Sequence, residues 1–169
     1  MSTLFTFPNP VNEVAARVVA GGVLLLAVIT LTLSLAVDTR WLWLTVVMAY
    51  GFVARVLTGP TLSPLGQLAS RVIAPRIAPA KPVAGPPKRF AQGLGAVATV
   101  SAAVLYVGFG QIVATQAFLG FVVVAATLES VFAVCIGCIT FGWLQRRGLI
   151  PESVCEACAN FGQRPPVVE

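Results

Sequence analysis

AFLGFVVVAATLESVFAVCIGCITFGWLQRRGLIPESVCEAC, residues 117–158, is the stretch whose reading decides the fold. It opens as an apolar helical run holding one acid, Glu129, and continues into Cys135-Ile-Gly-Cys138. Arg146-Arg147 close the run, and the polar residues beyond repeat the spacing as Cys155-Glu-Ala-Cys158. All four cysteines of the chain lie here. A bilayer core about 30 Å thick takes roughly 20 apolar residues per helix, so an apolar run of this length ending in paired arginines reads as a membrane span.

Outward from that stretch the composition agrees. Hydrophobic residues make up 57% of the 169 and charged residues 10%, with a mean hydropathy of +0.90. That is too apolar for a soluble domain of this size. No basic region precedes the first apolar run and no small-residue cleavage site follows it, so that run is expected to be a retained span rather than a removed signal peptide.

Read from the start, Asn9-Pro10 predicts a helix N-cap followed by proline in the first turn. Residues 18–37 carry no charge and form the first expected span, and Asp38-Thr39-Arg40 a tight polar turn. The second span, 41–57, opens on the interfacial aromatics Trp41 and Trp43 and meets Arg55 after 14 uncharged residues. In the connection 58–89, Leu62, Leu65, Leu68, Ala69, Val72 and Ile73 recur at helical spacing, which predicts a short amphipathic helix at the headgroup level. A proline-rich basic linker follows. The third span, 90–110, carries a seam of small residues, Ala91, Gly95, Ala98 and Ala102, suited to close helix packing. Gln111 to Gln116 is expected as a turn and 117–143 as the fourth span. The predicted architecture is therefore all-α and polytopic: a four-helix transmembrane domain over 1–147 and a cysteine-containing tail over 148–169.

With four spans and both termini on one side, every lysine and arginine except Arg40 falls on that side. The positive-inside rule makes it cytoplasmic, which predicts a multi-pass protein of the plasma (inner) membrane with cytoplasmic termini. The net charge of +5 is better matched to anionic lipid than to nucleic acid, because the basic residues flank the spans and form no patch with stacking aromatics. The chain has no histidine. That excludes bis-histidine haem, Ser-His and Cys-His catalysis, HExxH zinc sites and histidine proton shuttles.

What remains for chemistry is thiol, carboxylate and arginine. Cys135 and Cys138 are separated from Cys155 and Cys158 by 16 residues, a spacing that fits a four-thiolate zinc site. The same pairs also suit a thiol relay with a thioredoxin-like partner, and small apolar packing is the third alternative. Glu129 is costly in lipid unless paired or protonated. Thr30, Thr32 or Ser34 are candidate hydrogen-bond partners for it, and a proton or cation site, or an anchor to a partner, is the functional alternative. Arg55 either snorkels to the interface or pairs with Glu129 or with another subunit.

The four-span layout, Phe7-Pro-Asn-Pro-Val-Asn12, Gly59-Pro-Thr-Leu-Ser-Pro64 and Cys135-Ile-Gly-Cys138 together resemble an uncharacterised actinobacterial membrane family. The resemblance covers nearly the whole chain. Members occur near thioredoxin-like and sulfurtransferase genes, and one similar protein is an association factor of the cytochrome bcc–aa3 respiratory supercomplex. The resemblance therefore implies a non-catalytic accessory subunit bound to other membrane subunits of a respiratory assembly, and it supplies no catalytic residues. A thiol-redox or sulfur-handling relay through the two cysteine pairs is the alternative, and a small transporter using Glu129 a further one.

Overall fold

A computed structural model describes residues 7–151 and residue 154. Four helical segments, Glu13–Ala36, Thr39–Thr58, Gly85–Phe109 and Ile112–Ser130, are long and apolar enough to cross a membrane. The chain is all-α and polytopic, as its hydropathy predicts.

The first helix, α1 (Glu13–Ala36), begins at Asn12, whose side chain accepts the Val14 N–H at 3.0 Å. Glu13 in the first turn complements the helix dipole. This corrects the expected start at Asn9-Pro10. Those residues stay outside the helix because the two residues after them pair with the linker: β1 (Val11–Asn12) runs antiparallel to β2 (Pro82–Val83). Asn9 Oδ1 accepts the Gly85 N–H at 3.1 Å, and Lys81 pairs with Glu13 at 2.7 Å.

Asp38 caps a 3₁₀ turn over Thr39–Trp43, which leads directly into α2 (Leu44–Thr58). The connection holds α3 (Pro64–Leu68), a wider π turn over Ala69–Ile73, and α4 (Ala74–Ile77). This short helical segment packs on α1, with Leu65 against Gly22 and with Ala69 and Ala74 fully buried. Leu62, Leu68 and Val72 face outward, as an interfacial helix in contact with lipid requires.

Next comes α5 (Gly85–Phe109), then α6 (Ile112–Ser130). In the bundle α1 packs chiefly on α6, α2 on α5, and α5 also on α6. The small-residue seam of α5 is used inside the chain. Phe52 occupies the space a side chain at Gly95 would need, Gly137 lies against Ala91, and Ala98 and Ala102 are buried. Buried hydroxyls bond back to their own helices, as Thr30 does to the Leu26 carbonyl at 2.7 Å and Thr58 to that of Ala54 at 2.8 Å, so they add no unsatisfied polar group to the apolar core.

The expected single helix over 117–143 is two helices. The turn before it is only Gly110-Gln111, with Gly110 at φ 62°, so α6 already starts at Ile112. Nineteen residues at 1.5 Å each cover about 28 Å, long enough for a crossing that ends at Ser130. Ala133 then adopts φ 56° and the Val134 N–H reaches back to the Leu128 carbonyl at 2.9 Å. A second helix, α7 (Ile136–Arg146), starts after Cys135 and lies against α5. No proline or glycine marks this break. Arg17 of α1 holds it: its guanidinium donates to the Ser130 carbonyl at 3.0 and 3.3 Å and to that of Val131 at 3.3 Å. It thereby serves carbonyls that a continuing helix would otherwise have bonded.

Candidate thiol and ion-pair site

The break gathers the polar residues of the bundle at one end. Arg17 lies at the start of α1, Arg55 near the end of α2, Lys88 in the first turn of α5 and Glu129 in the last turn of α6. Cys135 is the residue before α7 and Cys138 is in its first turn.

Glu129 pairs with Lys88, Oε1 to Nζ, at 2.8 Å. Both side chains are more than four-fifths buried. Thr30, Thr32 and Ser34, the partners weighed from sequence, bond to α1 carbonyls instead. They sit toward the opposite end of α1, out of reach of the last turn of α6. The charges of the pair oppose the helix dipoles: a carboxylate stands at a helix C-terminus and an ammonium at an N-terminus. Neither charge helps its own helix, so each depends on the other.

Arg55 neither reaches the surface nor pairs with Glu129. It is 4% exposed. Its Nε donates to Gln92 Oε1 at 2.9 Å and its Nη1 to Ser63 Oγ at 3.2 Å. The guanidinium carbon lies 4.5 Å from the centre of the Phe52 ring. All these partners are neutral, and Nη2 is buried with no hydrogen-bond partner among the described residues.

Cys135 is buried, Cys138 is half-buried, and both are free thiols. The Cys138 thiol is hydrogen-bonded to Cys135, which lowers the Cys135 pKa below the ordinary thiol value against burial, with the Lys88 charge adding to the effect. The Cys138 pKa is pushed up by the same hydrogen bond and by burial. A position at the N-terminus of a helix also favours a thiolate. On an intact helix, cysteines three apart hold their Cβ atoms roughly 5–6 Å apart. Here Cys135 has extended backbone angles, φ −98° and ψ 103°, and escapes that constraint.

Cys155 and Cys158 lie outside the described residues, so two of the four expected zinc ligands have no structural account. Among the described residues, no three Cys, His, Asp or Glu side chains cluster as a metal site would require. Sequence reasoning singled out Cys135, Cys138, Glu129 and Arg55, which do come together. It missed Lys88, Gln92 and Arg17. Lys88 was legible only as a basic linker residue, although a lone acid in an apolar run calls for a cation somewhere in the bundle.

Arg55, Gln92, Glu129 and Cys135 line a cavity of about 80 Å³ between the helices. Its remaining walls are apolar or small, among them Val19, Val122, Ala126 and Gly137.

Fold and site together define a polytopic membrane protein whose last span breaks to present a Cys-x-x-Cys pair beside buried charges. The chain belongs to the family described as a domain of unknown function, DUF4395, which matches residues 11–146. No curated protein and no solved structure matches it.

Proposed function

We propose that this protein is a membrane-embedded dithiol–disulfide carrier, exchanging electrons with a soluble dithiol protein of thioredoxin-like chemistry at the basic face of the bundle. The observation that carries this reading is the placement of Cys135 and Cys138, both free thiols, at the start of α7. The positive-inside rule supports a cytoplasmic side for that face, and the reading takes the membrane to be the plasma membrane with the amino terminus inside.

In the oxidised protein, a partner thiolate attacks the sulfur of Cys138, the more exposed of the two. The Cys135–Cys138 bond breaks and Cys135 leaves as the thiolate, the better leaving group because of its lowered pKa. The partner's second thiolate then attacks its own sulfur in the mixed disulfide and releases Cys138. The partner dithiol is oxidised to a disulfide, its two electrons reduce the pair, and its two protons end on Cys135 and Cys138. The reverse sequence reduces a partner disulfide.

Removing Cys135 removes the sulfur that resolves the mixed disulfide. In a background lacking Cys155 and Cys158, Cys135→Ser should therefore hold a partner on Cys138 as an adduct released by dithiothreitol, and Cys135→Ser/Cys138→Ser should hold none. Absence of any adduct at Cys138 in cells, with both thiols staying reduced under mild oxidation, would overturn the proposal.

The resemblance suggests another reading, a non-catalytic accessory subunit of a respiratory assembly. The same variants separate the two. An association subunit would co-purify with its assembly in mild detergent whether or not the thiols are present.

A further inference from the structure

Among the described residues, Arg55 is a buried cation with no ion-pair partner of its own. Glu129, which shares the cavity wall with it, is already paired with Lys88, and the Arg55 hydrogen-bond partners, Gln92 and Ser63, are uncharged. Arg55, Lys88 and Glu129 together carry two positive charges and one negative, so this buried group is one negative charge short in a low-dielectric setting where an unbalanced charge is expensive. Beside this cation lies the cavity of about 80 Å³, with Arg55 on its wall and the Arg55 Nη2 unpartnered. A single water needs about 10–15 Å³ of such space, so there is room for more than one water, or for one small ion, and none for a lipid headgroup.

We infer that this cavity is a binding site for one small monovalent anion, of the size of chloride or bromide, held by the guanidinium of Arg55. The geometry suits such an ion better than a carboxylate or phosphate. One free N–H edge is available rather than a fork, and apart from Gln92 and Glu129, whose charge Lys88 already balances, the other walls are apolar or small, which favours weakly hydrated anions. The site adjoins Cys135, which also lines the cavity. A thiolate there supplies the same missing charge, so the anion and the Cys135 thiolate are alternative occupants of one electrostatic role. The inference stands whether or not the pair exchanges disulfides.

The test uses the full chain in detergent, at constant ionic strength, with sodium gluconate replaced stepwise by sodium chloride or bromide. The thermal midpoint of the wild type should rise by several degrees and saturate, as binding to the folded state alone requires. Cys135→Ser, which cannot form the thiolate, should keep the rise, and Arg55→Lys should keep it with a shifted midpoint concentration. Ala126→Leu fills the cavity from the α6 wall without touching the Arg55 hydrogen bonds, and its midpoint should not respond. Should Arg55→Lys fail to fold, wild type against Ala126→Leu still decides. A flat wild-type response, meaning a cavity holding water only, or identical curves for wild type and Ala126→Leu, would overturn the inference.

Discussion

At the scale of single residues, the Lys88–Glu129 pair shows how much depends on the partner of a charge. Each member stands at the wrong end of its helix for the macrodipole and is mostly desolvated. Removing one leaves the other buried and unpaired, at a cost of about 3–5 kcal/mol. Lys88→Met should therefore lower the stability measured by denaturant titration in mixed micelles by that order. Replacing both, as Lys88→Met/Glu129→Leu, should restore most of it, because a well-packed apolar pair avoids the desolvation penalty. A double variant as unstable as the single one would show that Glu129 has another role in folding. Lys88→Met also removes a charge that favours the Cys135 thiolate. Glu129 could be singled out from sequence because an acid in an apolar run is rare. The identity of its partner could not, since residues 41 positions apart meet only once α5 and α6 are packed.

At the scale of elements, hydropathy carried most of the fold and failed at one place. The apolar runs, the polar turn at Asp38 and the short helix after Pro64 follow from periodicity and capping residues. The break at residues 131–135 does not, because Val131, Phe132 and Val134 are as apolar as the helix before them and no glycine or proline intervenes. It is a tertiary effect, held by Arg17 on the α6 carbonyls and by the docking of α7 on α5. Asn9-Pro10 failed for the related reason that pairing of Val11–Asn12 with residues 82–83 holds the chain before Glu13 in a strand. The docking of α7 rests on Gly137. A Cβ there would come within 2.5 Å of the Ala91 backbone, which cannot yield as the end of a flexible side chain can. Gly137→Leu should push α7 from α5, while the ends of α6 and α5 keep their Lys88–Glu129 contact. The expected outcome is a folded four-span protein in which Cys138 is alkylated much faster by a maleimide than in the wild type. Gly142, which meets nothing within 4 Å, is the control, and Gly142→Leu should leave the rate unchanged.

At the scale of the whole molecule, the fold polarises the chain. The ends of α1, α2, α5 and α6 that carry Arg17, Arg55, Lys88 and Glu129 lie together, and the connection bearing Arg71, Arg76 and Lys81 joins the same end. The opposite end holds Arg40, bonded to Asp38, together with the exposed rings of Trp41 and Trp43. Positive charge is retained on the cytoplasmic side during insertion, and aromatic residues settle at the headgroup level. The thiol pair and the ion pair should therefore open toward the cytoplasm, where a soluble dithiol partner is available and where the compartment keeps thiols reduced. This can be checked without any assumption about function. In a variant lacking the four native cysteines, Arg76→Cys and Gln111→Cys each place one exposed thiol at opposite ends. A membrane-impermeant maleimide applied to intact cells should label Gln111→Cys and leave Arg76→Cys unmodified until the cells are opened. The reverse pattern would turn the bundle over. It would put Cys135 and Cys138 on the oxidising side, and the partner would then have to be a secreted or periplasmic dithiol protein.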